Sequence, residues 1–117
     1  MCLKKFSKSL FRALKGLRQV WHDENNFRIE IVIAIMVIVL MFYWQLPILE
    51  KISLISMIAL VLSLEVLNTA IERIMDILKP KIHDYVGTIK DMVAAAVLIA
   101  SLAALIIGLI IFYPYLF

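Results

Sequence analysis

The sequence predicts an all-α membrane protein: an N-terminal amphipathic surface helix, then three transmembrane helices, with the amino terminus inside and the carboxyl terminus outside. Three observations carry this prediction. Of 117 residues, 64% are hydrophobic and 18% charged, with a mean hydropathy of +1.00. Twelve Lys and Arg with nine Asp and Glu are too few to coat a soluble domain of this length. Apolar runs of membrane-crossing length recur along the chain. Lys4, Lys5, Lys8, Arg12, Lys15, Arg18 and Arg28 all lie in the first quarter, which places that end at the cytoplasmic face and its anionic headgroups. The length fits one domain, residues 1–117.

The surface helix is expected over about residues 3–21. Leu3, Phe6, Leu10, Leu14, Leu17 and Trp21 recur at steps of three or four and fall in an arc of roughly 80°, with Lys4, Lys5, Lys8, Arg12, Lys15 and Gln19 in another. Such a helix lies on a bilayer. A cleavable leader would need an uninterrupted apolar stretch and a small-residue cleavage site instead. A nucleic-acid-binding basic patch would have no use for the apolar stripe, so no nucleic-acid partner is expected.

The first span is expected over about 29–49, where residues 31–49 carry no charge. Tyr43 and Trp44 stand where an interfacial aromatic belt would, and Gln45, Leu46 and Pro47 supply a turn. The second is expected over about 52–78. Its uncharged stretch ends at Glu65, but apolar positions continue at helical spacing to Leu78. Lys79, Pro80 and Lys81 end it, because proline cannot continue the hydrogen-bond ladder, and the connection through His83, Asp84 and Gly87 is basic enough to be cytoplasmic. The third span, about 88–113, contains the uncharged run 92–117, with Tyr113, Pro114 and Tyr115 at its outer end.

The segment Leu64-Glu65-Val66-Leu67-Asn68-Thr69-Ala70-Ile71-Glu72-Arg73-Ile74-Met75-Asp76 carries the chemistry. Glu65, Asn68, Glu72 and Asp76 share a helix face within roughly 80°. About 20 residues of span counted from Ile52 end near Ile71, which puts Glu65 at the inner edge of the apolar layer. Asp76 reads as a solvated helix end. Glu65 does not, since an ionisable group inside a span is costly and faces a partner or a functional cavity. Glu24, Arg28 and Glu30 near the first span, and Lys90 and Asp91 near the third, lie at the same depth.

Carboxylates without a Cys or His cluster suit Mg²⁺, which is usually held by one or two carboxylates and substrate phosphates. A lysine supplies a point charge for phosphate, and a carboxylate at the apolar edge is a candidate general base for a hydroxyl. Together they point to phosphoryl transfer onto a lipid hydroxyl, a reaction made mostly of positioning and charge neutralisation. Gly16, Gly87 and Gly108 are too scattered for a P-loop or dinucleotide fingerprint. Cys2, the sole cysteine, excludes an intrachain disulfide and reads as inert. His22 reads as an interfacial polar residue, and the six Met as packing.

The run Glu65-Val66-Leu67-Asn68-Thr69-Ala70-Ile71-Glu72 followed by Lys90-Asp91-Met92-Val93-Ala94-Ala95-Ala96-Val97, with Lys15-Gly16-Leu17-Arg18, Trp21, Glu24, Phe27-Arg28 and Glu30 upstream, resembles the small bacterial membrane diacylglycerol kinase and undecaprenol kinase family. The resemblance covers nearly the whole chain. It implies a homotrimer in the bacterial cytoplasmic membrane, working on the cytoplasmic side, that moves the γ-phosphoryl of Mg-ATP onto a lipid alcohol. By resemblance the general base falls on Glu65, and Asn68 orients it or the lipid hydroxyl. The metal-binding glutamates fall on Glu24 and Glu72, beside the nucleotide, and the phosphate-contacting pair on Lys90 and Asp91. Further nucleotide contacts fall on Lys81, Ile82 and His83, and lipid contacts on Phe27, Glu30, Glu65 and Ala94.

Two positions depart from the family pattern. Lys5 replaces an ATP-contacting arginine, keeping the charge but not the bidentate fork, and Arg12 replaces a tyrosine near the adenine. Ala94, Ala95, Ala96 and Ala100 offer a small-residue face for close helix packing, within one subunit or between subunits. Diacylglycerol is the first expected lipid, giving phosphatidic acid. Undecaprenol, giving undecaprenyl phosphate, is the alternative, and the end Gly108-Leu109-Ile110-Ile111-Phe112-Tyr113-Pro114 looks more like undecaprenol-using members. Two other classes compete. A small proton-coupled transporter would use Glu65 as its carrier acid, but small multidrug exporters usually have four spans with the acid in the first. A holin-type pore would have no reason to align Glu65, Asn68 and Glu72 with Lys90.

Overall fold

A computed structural model describes residues 2–78 and 83–117, and everything below concerns those residues. Four helices follow one another, α1 (Cys2–Asp23), α2 (Asn25–Tyr43), α3 (Ile48–Leu78) and α4 (His83–Leu116), and no strand occurs among the described residues. Three of them, Asn25–Tyr43, Ile48–Leu78 and Tyr85–Leu116, are long and apolar enough to cross a membrane. At 1.5 Å per residue even the 19-residue α2 reaches about 28 Å, close to the thickness of a hydrocarbon core.

α1 and α2 are separated by a single residue. Glu24 adopts an extended backbone, φ −114° and ψ 112°, at the N-cap of α2, while its N–H still donates to the Val20 carbonyl at 2.8 Å. The break redirects the chain from α1 into α2 without a loop and leaves the Glu24 side chain at the corner. Along α1, Leu3, Phe6, Leu10, Leu14, Leu17 and Trp21 are exposed and Val20 is the one buried residue of the helix.

The other end of α2 closes with a Schellman motif. Leu46 N–H donates to the Met41 carbonyl at 3.1 Å and Gln45 N–H to the Phe42 carbonyl at 3.3 Å, which satisfies carbonyls that the helix end would otherwise orphan. The motif requires a left-handed residue, and Gln45 takes it with φ 49°. Leu46 and Met41, the pair whose apolar contact accompanies this cap, are both buried, together with Leu54, Ile111 and Phe112. Trp44 lies across the cluster, stacked on Tyr115 at 5.7 Å and tilted against Phe112 at 5.9 Å. One end of the helical assembly is therefore tied by aromatic packing, far along the helices from the carboxylates.

A left-handed non-glycine residue costs about 1 kcal/mol relative to glycine. Gln45→Gly should accordingly raise the thermal midpoint in detergent by about 4 °C, as read by near-UV circular dichroism. An unchanged or lower midpoint would show that the Gln45 side chain contributes more than its backbone costs.

α3 packs chiefly against α4, less against α2, and α1 touches the ends of α2 and α3. Between α2 and α4 this leaves a groove of about 550 Å³, lined by residues such as Ala34, Val37, Leu62, Ala104 and Phe112, with Glu30 among its walls. Ala100 is buried within the chain, whereas Ala94, Ala95 and Ala96 are exposed.

Candidate functional site

At the end opposite the aromatic cluster, the start of α2 and the start of α4 each approach the second half of α3. Glu65 is at the centre, 4% exposed, in the middle of an α3 stretch whose neighbours are apolar. Its carboxyl adjoins that of Glu30 on α2 at hydrogen-bonding range, and Glu24 and Glu72 lie within electrostatic reach. The helical repeat explains the grouping, because Glu65, Asn68 and Glu72 follow one face of α3, while Glu24 and Glu30 sit at and just after the corner that starts α2. Thr69, also buried, turns its hydroxyl onto the Glu65 carbonyl at 3.0 Å, a bond back into its own helix that leaves the carboxyl available.

Asn68 Nδ2 donates to Glu72 Oε1 at 3.3 Å. Among the described residues its Oδ1 and Glu30 Oε2 are buried without a hydrogen-bond partner, although buried polar atoms are normally paired. The Asn68 Oδ1 is an acceptor, so it suits a donor such as a hydroxyl.

Lys90, half-buried on α4, donates from Nζ to Asp76 Oδ1 at 2.5 Å, and Asp76 is exposed. Asp76 is thus solvated as the sequence suggests, but it also holds the lysine expected to meet phosphate. Asp91 follows on α4 about 100° further round and is exposed. A second ion pair joins α1 to α3: Arg73 donates to Asp23, which also accepts from Gln19 at 2.9 Å and lies 3.0 Å from His22 Nδ1. His22 is exposed. Arg28, half-buried, is not among the bases paired with acids in the described residues.

The expected residues are not all gathered here. Phe27 is buried in the first turns of α2, while Ala94 is exposed one turn beyond Lys90. Lys5 and Arg12 are exposed on α1, 19 and 12 positions before Glu24, so they stand about 28 and 18 Å back along the helix. One chain therefore does not bring Lys5 to the carboxylates. Lys81 and Ile82 and the side chain of His83 lie outside the described residues. Sequence reasoning missed the pairings of Asp23 with Arg73 and Asp76 with Lys90. Neither pair has a local signature, being 50 and 14 residues apart.

No group of three His, Cys, Asp or Glu among the described residues forms a metal cage. The donor set is instead all carboxylate, with Glu24 at the corner between α1 and α2 and Glu72 on α3, both near Glu65. That fits Mg²⁺, which takes one or two protein carboxylates and completes its octahedron with phosphate oxygens and water.

The family model of prokaryotic diacylglycerol kinase matches residues 12–112. The chain is 37% identical over 101 residues to a diacylglycerol kinase of Escherichia coli strain K12, covering 86% of this chain and 83% of that protein. It is 36% identical over 112 residues to the undecaprenol kinase of Bacillus subtilis strain 168, covering 96% and 91%. A diacylglycerol kinase of Haemophilus influenzae is 34% identical over 102 residues, 86% of each chain. These matches set aside the transporter and pore classes: a multi-helix membrane chain with this carboxylate centre belongs to the prokaryotic diacylglycerol kinase family.

Proposed function

We propose that the chain is an ATP-dependent lipid kinase that transfers the γ-phosphoryl group of Mg-ATP to the hydroxyl of diacylglycerol, giving phosphatidic acid. The observation that carries the proposal is the convergence of Glu24, Glu30 and Glu72 on buried Glu65, at the end of the helices where Lys90 also stands.

Glu65 is the general base. It takes the proton of the lipid hydroxyl as that oxygen bonds to the γ-phosphorus, the bond from phosphorus to the β,γ-bridging oxygen breaks, and ADP leaves with the electron pair. Glu30 and Asn68 position the hydroxyl, Asn68 through Oδ1, which has no hydrogen-bond partner among the described residues. Lys90 offers its ammonium to phosphate oxygens, and Asp91 flanks it. Glu24 and Glu72 are the metal-holding carboxylates, and Mg²⁺ held there would neutralise phosphate charge during transfer. The apolar groove between α2 and α4, with Glu30 in its wall, suits the hydrocarbon part of a lipid whose hydroxyl faces Glu65. Phe27 and Ala94 are assigned as lipid contacts by family resemblance, and Lys81, Ile82 and His83 as nucleotide contacts.

The active assembly is a homotrimer in the cytoplasmic membrane, with the carboxylate end toward the cytoplasm. One observation supports several copies: Ala94, Ala95 and Ala96 face outward. Undecaprenol is the second reading for the acceptor, supported by the match to the Bacillus subtilis undecaprenol kinase over 96% of this chain.

Incubating the full-length protein with γ-labelled ATP in vesicles containing diacylglycerol or undecaprenol separates these readings. Label in phosphatidic acid is the expected outcome. Label confined to undecaprenyl phosphate replaces the acceptor, and label in neither lipid overturns the proposal.

A further inference from the structure

We propose that Asp76 is a positioning residue for phosphoryl transfer, anchoring the Lys90 ammonium so that it meets the nucleotide phosphates already oriented. The inference rests on the role given to Lys90 under the proposed function. Asp76 lies in the last turn of α3, one turn beyond Glu72, and Lys90 lies two turns into α4. Their side chains meet at 2.5 Å between the two helices, and Glu72 is also within electrostatic reach of Lys90. The ammonium is therefore flanked by two acids of one helix face, one of them a proposed metal-holding residue.

Lysine carries a flexible four-carbon stem, and fixing it on a phosphate costs rotamer freedom. Asp76 takes one of three N–H donors and leaves two for phosphate oxygens, so part of that ordering is in place before nucleotide binds. The alternative is a staple between α3 and α4. Exposure argues against that use, since Asp76 and Lys90 side chains are 62% and 33% exposed and ion pairs at such positions add little to stability. An anchor and a staple therefore differ in what their loss changes: nucleotide affinity in one case, the thermal midpoint in the other.

The test uses the full-length protein in lipid vesicles. Asp76→Asn should raise KM for Mg-ATP about tenfold, in the range seen when a group that orients a ligand-binding side chain is lost. KM for the lipid should stay within about twofold, and the thermal midpoint within about 2 °C. Asp76→Glu, which keeps the charge, should recover most of the nucleotide affinity. Because Asp76 takes part in a further interaction as well, a double-mutant cycle assigns the effect: in a Lys90→Ala background, Asp76→Asn should weaken nucleotide binding no further. The same series read as binding of Mg²⁺ with a non-hydrolysable ATP analogue does not depend on lipid turnover. Wild-type protein that binds the analogue but labels no lipid contradicts the lipid kinase reading while the anchor is still read from binding. An unchanged nucleotide affinity in Asp76→Asn, an additive loss in the Lys90→Ala background, a fall in midpoint that accounts for the loss, or no analogue binding by the wild type would each overturn the anchor.

Discussion

Glu65→Gln is expected to lower kcat for lipid phosphorylation by about 10³-fold, within the range supplied by a general base in the transition state. Gln keeps the shape of the side chain and removes its capacity to take the hydroxyl proton, so KM for Mg-ATP should stay within about twofold. The fold should not suffer. Glu65 is buried beside a second carboxyl, that of Glu30, and replacing one acid of such a pair with a neutral amide relieves the cost of keeping ionisable groups away from water. The thermal midpoint is therefore expected to hold or rise while turnover collapses. Initial rates of label transfer, set beside thermal unfolding of the same preparations, check both halves. More than a tenth of wild-type kcat in Glu65→Gln would remove Glu65 from the role of base.

Glu72→Gln should fail differently. The amide oxygen can still accept from Asn68 Nδ2, the contact seen at 3.3 Å, so the local packing of α3 is kept. What disappears is the anionic oxygen that a hard cation requires. Turnover at saturating lipid should fall by about 10²-fold or more, the size of effect seen when one element of a charge clamp is removed. The free Mg²⁺ concentration for half-maximal rate should rise by about tenfold. A titration of rate against Mg²⁺ at fixed Mg-ATP distinguishes this from loss of a base, which leaves the metal dependence in place. A wild-type Mg²⁺ curve in Glu72→Gln would show that Glu72 holds no metal.

Four helices, three of them long and apolar enough to cross a membrane, were legible because they follow from local properties: uncharged length and a 3.6-residue repeat of apolar positions. The face shared by Glu65, Asn68 and Glu72 was legible for the same reason, since residues three and four apart on a helix must be neighbours. Where neighbouring helices meet, the sequence is silent. The expected surface helix ended near 21 and the first span began near 29, whereas the chain changes direction within one extended residue, Glu24. Nothing in the composition of that stretch marks a break without glycine or proline. Gln45 was legible as part of a turn, but its left-handed backbone follows from the Schellman cap and from the burial of Leu46 beside Met41.

Charge pairing was the least legible level. Asp76 read as a solvated helix end because a charge there costs nothing by itself, and its exposure agrees. Its partner Lys90 arrives only through the antiparallel packing of α4 on α3. Lys5 and Arg12 illustrate the converse. Family resemblance places them near nucleotide, but the straight α1 carries them about 28 and 18 Å back from Glu24, a separation set by helix rise that aligned residues alone do not express.

The central claim is metal-dependent phosphoryl transfer from ATP to a membrane lipid hydroxyl by the carboxylate centre around Glu65. The most direct measurement is the appearance of γ-label in extracted lipid from vesicles holding the full-length protein, with Mg²⁺ supplied or removed by chelation. The account predicts labelled lipid only with Mg²⁺, and none above background in Glu65→Gln. Equal labelling after chelation, or labelling that survives Glu65→Gln, would contradict it.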